Sequence, residues 1–405
     1  MGLDLTELYA NRTRGMKTSS IREFFKLTER ADVISFAGGF PSGKVFPVDA
    51  LARITDGLLG NGAVKALQYG PTEGHGDLRR LLARRMSDQG CPATEEEILI
   101  TSGSQQALDL LAKLFVDPGD KVLVEEPGYV GGLGAFRNYE ADLIPIPIDA
   151  QGIITDRLRA KLVELRARGI TPKLLYLVPN FQNPSGLTLS LPRRKEILSL
   201  AEEFHFLVVE DDPYGLLRYE GSVLASLKSM DEKGHVIYLG SVSKTLLPGI
   251  RVGWLHGPEE LVSKMIMAKQ ATDLCGNSLG QRMVYEFYRR GLEPEHLKRL
   301  RRYYKRKRDA MLAALERYFP REVTWTRPKG GFFIWVTLPP YMDARNLLLL
   351  ALQHRVAFVD GAGFHVGERG KNTLRLSFSE AEEQEIYTGI QRLGELIESE
   401  VSRAQ

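Results

Sequence analysis

The chain has 405 residues, of which 43% are hydrophobic and 26% are charged, as in folded globular proteins with more than one domain. Its 54 basic residues nearly balance 51 acidic ones, which gives no support for a nucleic-acid or membrane partner. No apolar run is long enough to cross a membrane, and the two cysteines have neither CxxC nor metal-binding spacing. We therefore expect a cytoplasmic protein without a metal site.

The first forty or so residues predict one helix and one short strand. A serine cap favours a helix over Ser20–Arg30, and an apolar run favours a strand over Val33–Phe36 that leads into Gly38 and Gly39. We expect this segment to pack with the C-terminal part of the chain.

From about Asp49 the pattern alternates between helix and strand. Continuous apolar runs, typical of strands covered on both faces, predict strands at Glu97–Thr101, Lys121–Glu125, Leu143–Pro147, Lys173–Val178, Phe206–Glu210, His235–Gly240 and Arg251–His256. Helices, among them Gln105–Val116 and Arg193–Phe204, lie between these strands. This order predicts an α/β fold, with a mostly parallel sheet in a three-layer α/β/α large domain over residues 46–290.

After about residue 290 the pattern changes. The basic stretch Lys298–Arg308 is interpreted as the solvated face of a long amphipathic helix. Further strands are predicted at Val323–Thr326, Gly331–Leu338, Val356–Val359 and Thr373–Ser377, and helices at Ala344–His354 and Glu380–Glu400. We predict a smaller α+β domain made of residues 1–45 and 291–405.

One segment carries an amine directly after a predicted strand. Ser241, Ser243 and Lys244 follow the run His235–Gly240, and Arg251 comes seven residues after the lysine. A buried lysine cation is costly to desolvate, and a Schiff base removes that charge, while the serines and the arginine can donate to a phosphate. Taken alone, the segment is also compatible with a surface turn.

A second strand end has the composition of an anion site. Ser102, Gly103 and Ser104 open the predicted helix at Gln105–Val116, and small residues at a helix N-terminus allow backbone N–H groups to approach a phosphate. An ordinary serine N-cap is the alternative.

Carboxylates follow the strand Phe206–Glu210. A carboxylate beside a pyridine nitrogen keeps that nitrogen protonated, and Asp211 is chosen because Tyr214 could reach the oxygen of the same ring. Asp212, before a proline, is assigned to a turn or cap. A metal site is the other use of such a cluster, but no histidine lies at a suitable spacing.

Two loop residues complete the pattern. Asn183, held before Pro184, is either a rigid donor to a ring oxygen or part of an Asn-Pro turn. Tyr129, in a Pro-Gly loop, could stack on an aromatic cofactor.

These features follow in one order, each after a predicted strand, and with them the chain resembles the class I/II aminotransferases, which are pyridoxal-phosphate enzymes of fold type I. The shared segments are ISFAGG from Ile34, LQYGPTEG from Leu67, GSQQALDL from Gly103, FQNPSG from Phe181, VVEDDPY from Val208, SVSKTLLPGIRVGW from Ser241, RPKGGFF from Arg327 and NTLRLSFS from Asn372. The resemblance covers nearly the whole chain and is nearest to the subgroup of 2-aminoadipate aminotransferase (LysN-like) and kynurenine aminotransferase II.

The resemblance implies pyridoxal 5'-phosphate as cofactor and a role for each matching residue. Lys244 would hold the cofactor as an internal aldimine and later act as the base, and Asp211 would pair with the pyridine nitrogen. The other implied cofactor-binding residues are Asn183 and Tyr214 at the ring oxygen, Tyr129 over the ring, and Ser104, Gln105, Ser241, Ser243 and Arg251 at the phosphate. Tyr69 would reach the phosphate of the other subunit in a homodimer.

The same resemblance implies how substrate is bound. Arg375 would hold the α-carboxylate in a bidentate pair, beside Gly39 and Asn183. The segment around Arg22 is similar to a helix that moves over the site in LysN-like enzymes, where an arginine meets the distal carboxylate of glutamate or 2-aminoadipate. A surface arginine paired with Glu23 or Glu29 is the alternative.

The predicted activity is transfer of an amino group between an L-amino acid of the 2-aminoadipate, glutamate, leucine or aromatic type and a 2-oxo acid such as 2-oxoglutarate. Two other functions are known on this scaffold: pyridoxal-phosphate-dependent C–S lyases, and regulators that fuse the fold to a DNA-binding domain. We expect no such extra domain, because the aminotransferase pattern begins within about the first twenty residues.

Overall fold

Strands and helices alternate along most of the chain in the computed structural model, which describes residues 5–16 and 32–404. The strands are β1 Ile34–Ser35, β2 Ile98–Thr101, β3 Lys121–Glu126, β4 Asp142–Asp149, β5 Gly152–Ile153, β6 Leu174–Leu177, β7 Leu207–Asp211, β8 Val236–Ser241, β9 Gly253–His256, β10 Thr324–Trp325, β11 Phe333–Thr337, β12 Val356–Ala357, β13 Val359–Asp360 and β14 Thr373–Ser377. The α-helices are α1 Val48–Leu67, α2 Gly76–Asp88, α3 Ser104–Phe115, α4 Val130–Arg137, α5 Thr155–Ala167, α6 Leu191–Phe204, α7 Leu227–Met230, α8 Glu259–Asp273, α9 Ser278–Arg289, α10 Glu293–Tyr318, α11 Ala344–Gln353 and α12 Glu383–Ala404. None of the helices in the described ranges has the length and apolar composition of a membrane span.

The larger sheet has the strand order β2-β9-β8-β7-β6-β3-β4-β5. Strands β8, β7, β6, β3 and β4 are parallel neighbours, whereas β9 runs antiparallel to both β2 and β8, and β5 is an antiparallel edge. Every residue of β6 and β8 is buried, which explains why these strands are continuous apolar runs in the sequence. The predicted α/β fold with a mostly parallel sheet is confirmed.

The smaller sheet is antiparallel, with the order β10-β11-β14-β13. Its core includes buried residues of α10, α11 and α12. Strand β1 pairs in parallel with β12, so the chain just before residue 36 lies against the C-terminal part. The predicted strand at Val356–Val359 divides at Phe358, because β12 pairs with β1 while β13 pairs with β14. The predicted helix at Ser20–Arg30 lies outside the described residues.

The interpretation of the basic stretch as a solvated face is wrong for two of its residues. Lys307 and Arg308 are only 2% and 3% exposed. The Lys307 ammonium donates hydrogen bonds to the carbonyls of Ser379 (3.3 Å) and Glu380 (2.9 Å), and Arg308 Nη1 donates to the Pro328 carbonyl at 2.6 Å. Their aliphatic stems add apolar cover, so these cations fasten α10 to loops at the smaller sheet.

We therefore expect Lys307→Met to destabilise the protein, because it leaves buried carbonyls without their donor while it preserves the packing of the stem. The expected loss is about 1–3 kcal/mol in the free energy of unfolding. Arg302→Met, at an exposed position of the same helix, is the matched control and should change stability by no more than about 0.5 kcal/mol. Urea unfolding of both variants measures the difference, and equal midpoints would contradict the assignment.

Candidate active site

The carboxyl ends of β2, β3, β6, β7 and β8 meet at one edge of the larger sheet, because these strands run in the same direction. Ligands bind at this edge in open α/β sheets. The sequence places a predicted site residue at or after each of these ends: Asp211 is the last residue of β7, and Ser104, Tyr129, Asn183 and Lys244 follow β2, β3, β6 and β8. Strand direction therefore brings together residues that are far apart in the sequence.

Lys244 lies in the turn after β8, where its ammonium donates a hydrogen bond to the carbonyl of Gly39 at 2.9 Å. Burial is the main cause that lowers the pKa of Lys244 from 10.5 to about 8, and the charges of Arg375 and Arg251 lower it further. Asp211 acts in the opposite direction. The result is an amine that becomes neutral, and hence nucleophilic, at a mildly alkaline pH.

Asp211 ends β7 and is 2% exposed. Its Oδ2 accepts a hydrogen bond from the Tyr176 hydroxyl at 3.0 Å, while its Oδ1 is buried and has no hydrogen-bond partner among the described residues. Burial raises the pKa of Asp211 to about 7. A protonated nitrogen donor at Oδ1 would satisfy this oxygen and stabilise the charged carboxylate.

The sequence analysis missed Tyr176. It lies in β6 within the apolar run Leu174–Leu177 and is indistinguishable there from a core residue. Only the parallel pairing of β6 with β7 brings its hydroxyl to Asp211. Burial raises the pKa of the Tyr176 phenol well above its usual value, so the phenol stays a proton donor to the carboxylate.

The turn before α3 forms a cradle of small residues. Gly103 has φ 79°, and a Cβ at this position would lie 2.8 Å from Nη2 of Arg251, so glycine is required. Arg251 Nη2 in turn donates to the Ser102 carbonyl at 2.7 Å, and the buried Ser104 hydroxyl, which acts to lower the pKa of Asp211, completes no hydrogen bond within the described residues. A helix N-terminus with a nearby guanidinium and a free hydroxyl has the chemistry of a phosphate site.

Two further serines lie at the end of β8. The Ser241 hydroxyl donates to the Ser243 hydroxyl at 2.9 Å and accepts a hydrogen bond from the Ser243 backbone N–H at 3.1 Å. Gly253 pairs with Ser241 across β8 and β9, and a Cβ on Gly253 would lie 2.8 Å from the Gly103 Cα. The serine turn therefore lies close to the cradle before α3.

Tyr129 and Gln105 close one side of the cluster. Gln105 Nε2 donates to the Gly131 carbonyl at 2.9 Å, and the Tyr129 hydroxyl lies 3.5 Å from Gln105 Oε1. Burial raises the pKa of Tyr129, and the charge of Asp211 raises it further, whereas Arg375 lowers it. Burial likewise raises the pKa of Tyr214, and Tyr129, Arg375 and Asp211 all act on it. Tyr129 and Tyr214 therefore both lie within electrostatic range of Asp211 and Arg375.

The loop that carries Asn183 is held by residues that the sequence analysis did not assign. Gln182 Nε2 donates to the Pro127 carbonyl at 2.7 Å, and its Oε1 accepts from the Ser185 hydroxyl at 2.6 Å. The buried Glu125 carboxylate accepts from the Val178 backbone N–H at 2.9 Å. Burial raises the pKa of Glu125 to about 7. These bonds fasten the ends of β3 and β6 to each other.

Arg375 enters the cluster from β14 of the smaller sheet and is 4% exposed. Its Nη1 donates to Asn183 Oδ1 at 2.9 Å and its Nη2 to the Ala37 carbonyl at 2.7 Å. The guanidinium lies 4.3 Å from the Phe333 ring centroid. Among the described residues no carboxylate pairs with it, and burial lowers the pKa of Arg375 to about 10. A buried cation in this state has the electrostatics of a carboxylate-binding group.

Gly39 lies beside the Lys244 amine, and a Cβ on Gly39 would come within 2.9 Å of the Phe333 ring.

Tyr69 is not part of the cluster. It is 78% exposed and lines a surface cleft of about 660 Å³ with Leu67 and Cys275. Arg22 lies outside the described residues.

A comparison with protein families matches residues 31–393 to aminotransferase class I and II. The chain belongs to this family. It is 43% identical over 402 residues to the aromatic-amino-acid aminotransferase 1 of Thermococcus litoralis, covering 99% of this chain and 96% of that protein. It is 42% identical over 395 residues to the 2-aminoadipate transaminase of Thermus thermophilus, covering 97% of each. The crystal structure of Pyrococcus horikoshii kynurenine aminotransferase in complex with PMP superimposes with a TM-score of 0.95 at 44% identity, covering 98% of both chains.

This class I and II aminotransferase is a pyridoxal-phosphate-dependent enzyme, and the cluster fits that cofactor. Within the described residues Asp211 Oδ1 and the Ser104 hydroxyl complete no hydrogen bond, so that the first suits a protonated pyridine nitrogen and the second a phosphate oxygen. Lys244 offers an amine to the aldehyde. No group of side chains suited to a metal ion occurs within the described ranges.

We expect Lys244 of the cofactor-free protein to react with aldehydes with a midpoint near pH 8. The amine is protonated and unreactive below this pH and neutral above it, whereas in the unfolded chain the same change occurs near 10.5. Reductive methylation with formaldehyde from pH 6 to 11, followed by mass spectrometry of the Lys244 peptide, measures the midpoint. Arg375→Met should move it upward, because it removes one nearby cation. The same midpoint in folded and unfolded protein would contradict this assignment.

Proposed function

We propose that this aminotransferase transfers the amino group of an L-amino acid with a 2-aminoadipate, glutamate, leucine or aromatic type of side chain to a 2-oxo acid such as 2-oxoglutarate. The names of the relatives support this range, since they include an aromatic-amino-acid aminotransferase, a 2-aminoadipate transaminase and a kynurenine aminotransferase. The single observation that carries the proposal is Arg375, a buried cation without a carboxylate partner among the described residues, close to the Lys244 amine. In this proposal its two terminal nitrogens bind the α-carboxylate common to all of these substrates.

The catalytic roles follow from the cluster. When bound, pyridoxal phosphate supplies a carbonyl carbon that takes up the amino group and a ring that accepts the electrons of the broken Cα–H bond. Lys244, as a neutral amine with its lowered pKa, takes the proton from the substrate Cα. Asp211 Oδ1 holds a proton at the ring nitrogen, and the Tyr176 hydrogen bond fixes the orientation of this carboxylate.

The remaining cofactor contacts divide between phosphate and ring. Ser104, Gln105, Ser241, Ser243 and Arg251 bind the phosphate in this proposal, which is supported by the free hydroxyl of Ser104 and the helix N-terminus. The ring is covered by Tyr129. The oxygen on the cofactor ring is held by Asn183 and Tyr214, which are both buried.

The functional unit is proposed to be a homodimer in which Tyr69 reaches the phosphate of the other subunit. Exposed apolar side chains support it: Leu67 lines the same cleft as Tyr69, and Val64, Leu67 and Leu274 are 78%, 65% and 49% exposed. Monomeric behaviour of the holoenzyme in sedimentation would contradict this part of the proposal.

The division into a large domain of residues 46–290 and a small domain of residues 1–45 with 291–405 is also a proposal. It is supported by the two separate sheets and by the pairing of β1 with β12. The cytoplasmic location stays a prediction.

We expect half-reactions to identify the donor class. Purified holoenzyme is mixed separately with L-glutamate, L-2-aminoadipate, L-leucine, L-phenylalanine or L-kynurenine. The cofactor absorbance reports conversion to the aminated form, and the conversion rates of the five amino acids are compared. Lys244→Ala should lose transamination by about three orders of magnitude or more, because it removes the amine with the lowered pKa that takes the Cα proton in this proposal. Substantial turnover in this variant would contradict the role of Lys244. Pyruvate and ammonia from a cysteine thioether, without aminated cofactor, would indicate a C–S lyase instead.

Two arginines should affect different parts of the substrate. Arg375→Lys should weaken binding of every amino acid by about 2–4 kcal/mol, because a lysine cannot form the bidentate pair in a closed site. If Arg22 binds the distal carboxylate, Arg22→Ala should weaken the binding of glutamate and 2-aminoadipate and leave the binding of leucine unchanged. Steady-state kcat and KM for the acidic and apolar donors separate the two roles. Equal effects of Arg22→Ala on glutamate and leucine would show that it does not select acidic side chains.

A further inference from the structure

Behind the phosphate cradle lies a chain of polar contacts to which the proposed function assigns no role. Gln106 Oε1 accepts a hydrogen bond from the Ser102 backbone N–H at 2.8 Å, and Gln106 Nε2 donates to Asp273 Oδ2 at 2.7 Å. The other oxygen of Asp273 accepts from the Lys269 ammonium at 2.7 Å. We propose that Gln106, Asp273 and Lys269 form a positioning relay that sets the Ser102–Gln105 turn for the cofactor phosphate; this inference rests on the proposed phosphate role of that turn.

The relay fixes which way the Gln106 amide faces. A carboxylate only accepts hydrogen bonds, so Asp273 must face the NH₂ group of Gln106. The amide oxygen is then the only atom left to face the Ser102 N–H. Lys269 holds Asp273 from the other side, so that each atom of the relay has one possible role.

The cradle is thereby held at Ser102 from both directions. Its N–H is bound by Gln106, and its carbonyl accepts from Arg251 Nη2 at 2.7 Å. The next residue, Gly103, turns the chain with a positive φ, and α3 begins at Ser104. A shift of Ser102 would therefore move both the Arg251 guanidinium and the backbone N–H groups that open α3.

The relay is poorly explained as support for helix α8 alone. Lys269 is fully buried while the Asp273 side chain is 25% exposed, and the cost of desolvating an ammonium can exceed what one ion pair recovers. Asp273 is the last residue of α8, where the helix dipole disfavours a negative charge. Both features become understandable if the pair serves to orient Gln106.

The relay also continues toward the exposed segment that carries Tyr69. Leu274, directly after Asp273, has φ 61°, and its carbonyl accepts from the Thr72 hydroxyl at 2.6 Å. Asp273 thus lies between the cradle of this chain and the segment proposed to reach the phosphate of a second subunit.

The test compares binding of pyridoxal phosphate with binding of pyridoxal, which lacks the phosphate. Each compound is titrated, with absorbance as the signal, into the apo form of four proteins: the wild type, Gln106→Ala, Gln106→Met and Lys113→Ala. Lys113, at an exposed position of α3, is the control. We expect both Gln106 variants to bind pyridoxal phosphate about tenfold more weakly than the wild type, because they lose the hydrogen bonds of Gln106 to Ser102 and Asp273. Their affinity for pyridoxal should stay within about twofold of that of the wild type. Lys113→Ala should bind both compounds like the wild type.

The thermal midpoint of the apo proteins distinguishes positioning from folding. Midpoints close to that of the wild type, together with the selective loss, support the relay. Unchanged affinity for pyridoxal phosphate, an equal loss for both compounds, or apo proteins that fail to fold for both Gln106 variants would each overturn it. Failure of the wild type to bind pyridoxal phosphate would instead overturn the proposed function on which the relay rests.

Discussion

Incomplete compensation of buried charge is the constraint on which this site depends. Lys244, Asp211 and Arg375 lie in one cluster, and each has a pKa displaced mainly by burial. Asp211 keeps one unpartnered oxygen, and Arg375 has no carboxylate partner in the described part of the chain. A fold optimised for stability alone would pair such groups or replace them. In the proposed function, Asp211 would bind a protonated ring nitrogen and Arg375 a substrate carboxylate, so that the cofactor and the substrate would complete the electrostatics of the site.

The adjacent carboxylates Asp211 and Asp212 show how local contacts separate two chemically identical groups. Asp212 Oδ1 accepts from Asn180 Nδ2 at 3.0 Å and from the Gly215 N–H at 2.9 Å, which is the arrangement of a turn. Asp211 Oδ2 accepts from the Tyr176 hydroxyl, the Ser104 hydroxyl acts to lower the pKa of this carboxyl, and in the described part of the chain no group completes a hydrogen bond to Oδ1. The choice of Asp211 over Asp212 in the sequence rested on its spacing from Tyr214, and the geometry gives a physical reason for the same choice.

Sequence patterns predicted most of the strands because strands buried on both faces are mostly apolar. Strand β14 has the predicted bounds, and β3, β7 and β8 differ by one residue at one or both ends. The sequence analysis gave no bounds for helices α1 and α2; α1 contains Gly57, Gly60 and Gly62 and has no side-chain hydrogen bond at its N-cap. Contacts between distant segments were not predictable: Tyr176, Lys307 and Gln106 each resemble ordinary core, surface or helix residues until the fold brings their partners close.

Arg375 shows why the site requires both sheets. Strand β14 belongs to the smaller sheet, yet the guanidinium bonds Asn183 after β6 of the larger sheet and the Ala37 carbonyl near the N-terminus. Gly39, two residues after Ala37, accepts from Lys244, so one short segment contacts both the proposed carboxylate-binding arginine and the amine. Ser379 donates to the Phe40 carbonyl at 2.6 Å, and Ser42 N–H donates to the Tyr304 hydroxyl at 3.0 Å, which fastens this segment to the smaller sheet and to α10. Any change in how the smaller sheet lies against the larger one would therefore alter the distance between the proposed carboxylate-binding group and the base, and substrate geometry and proton transfer would change together.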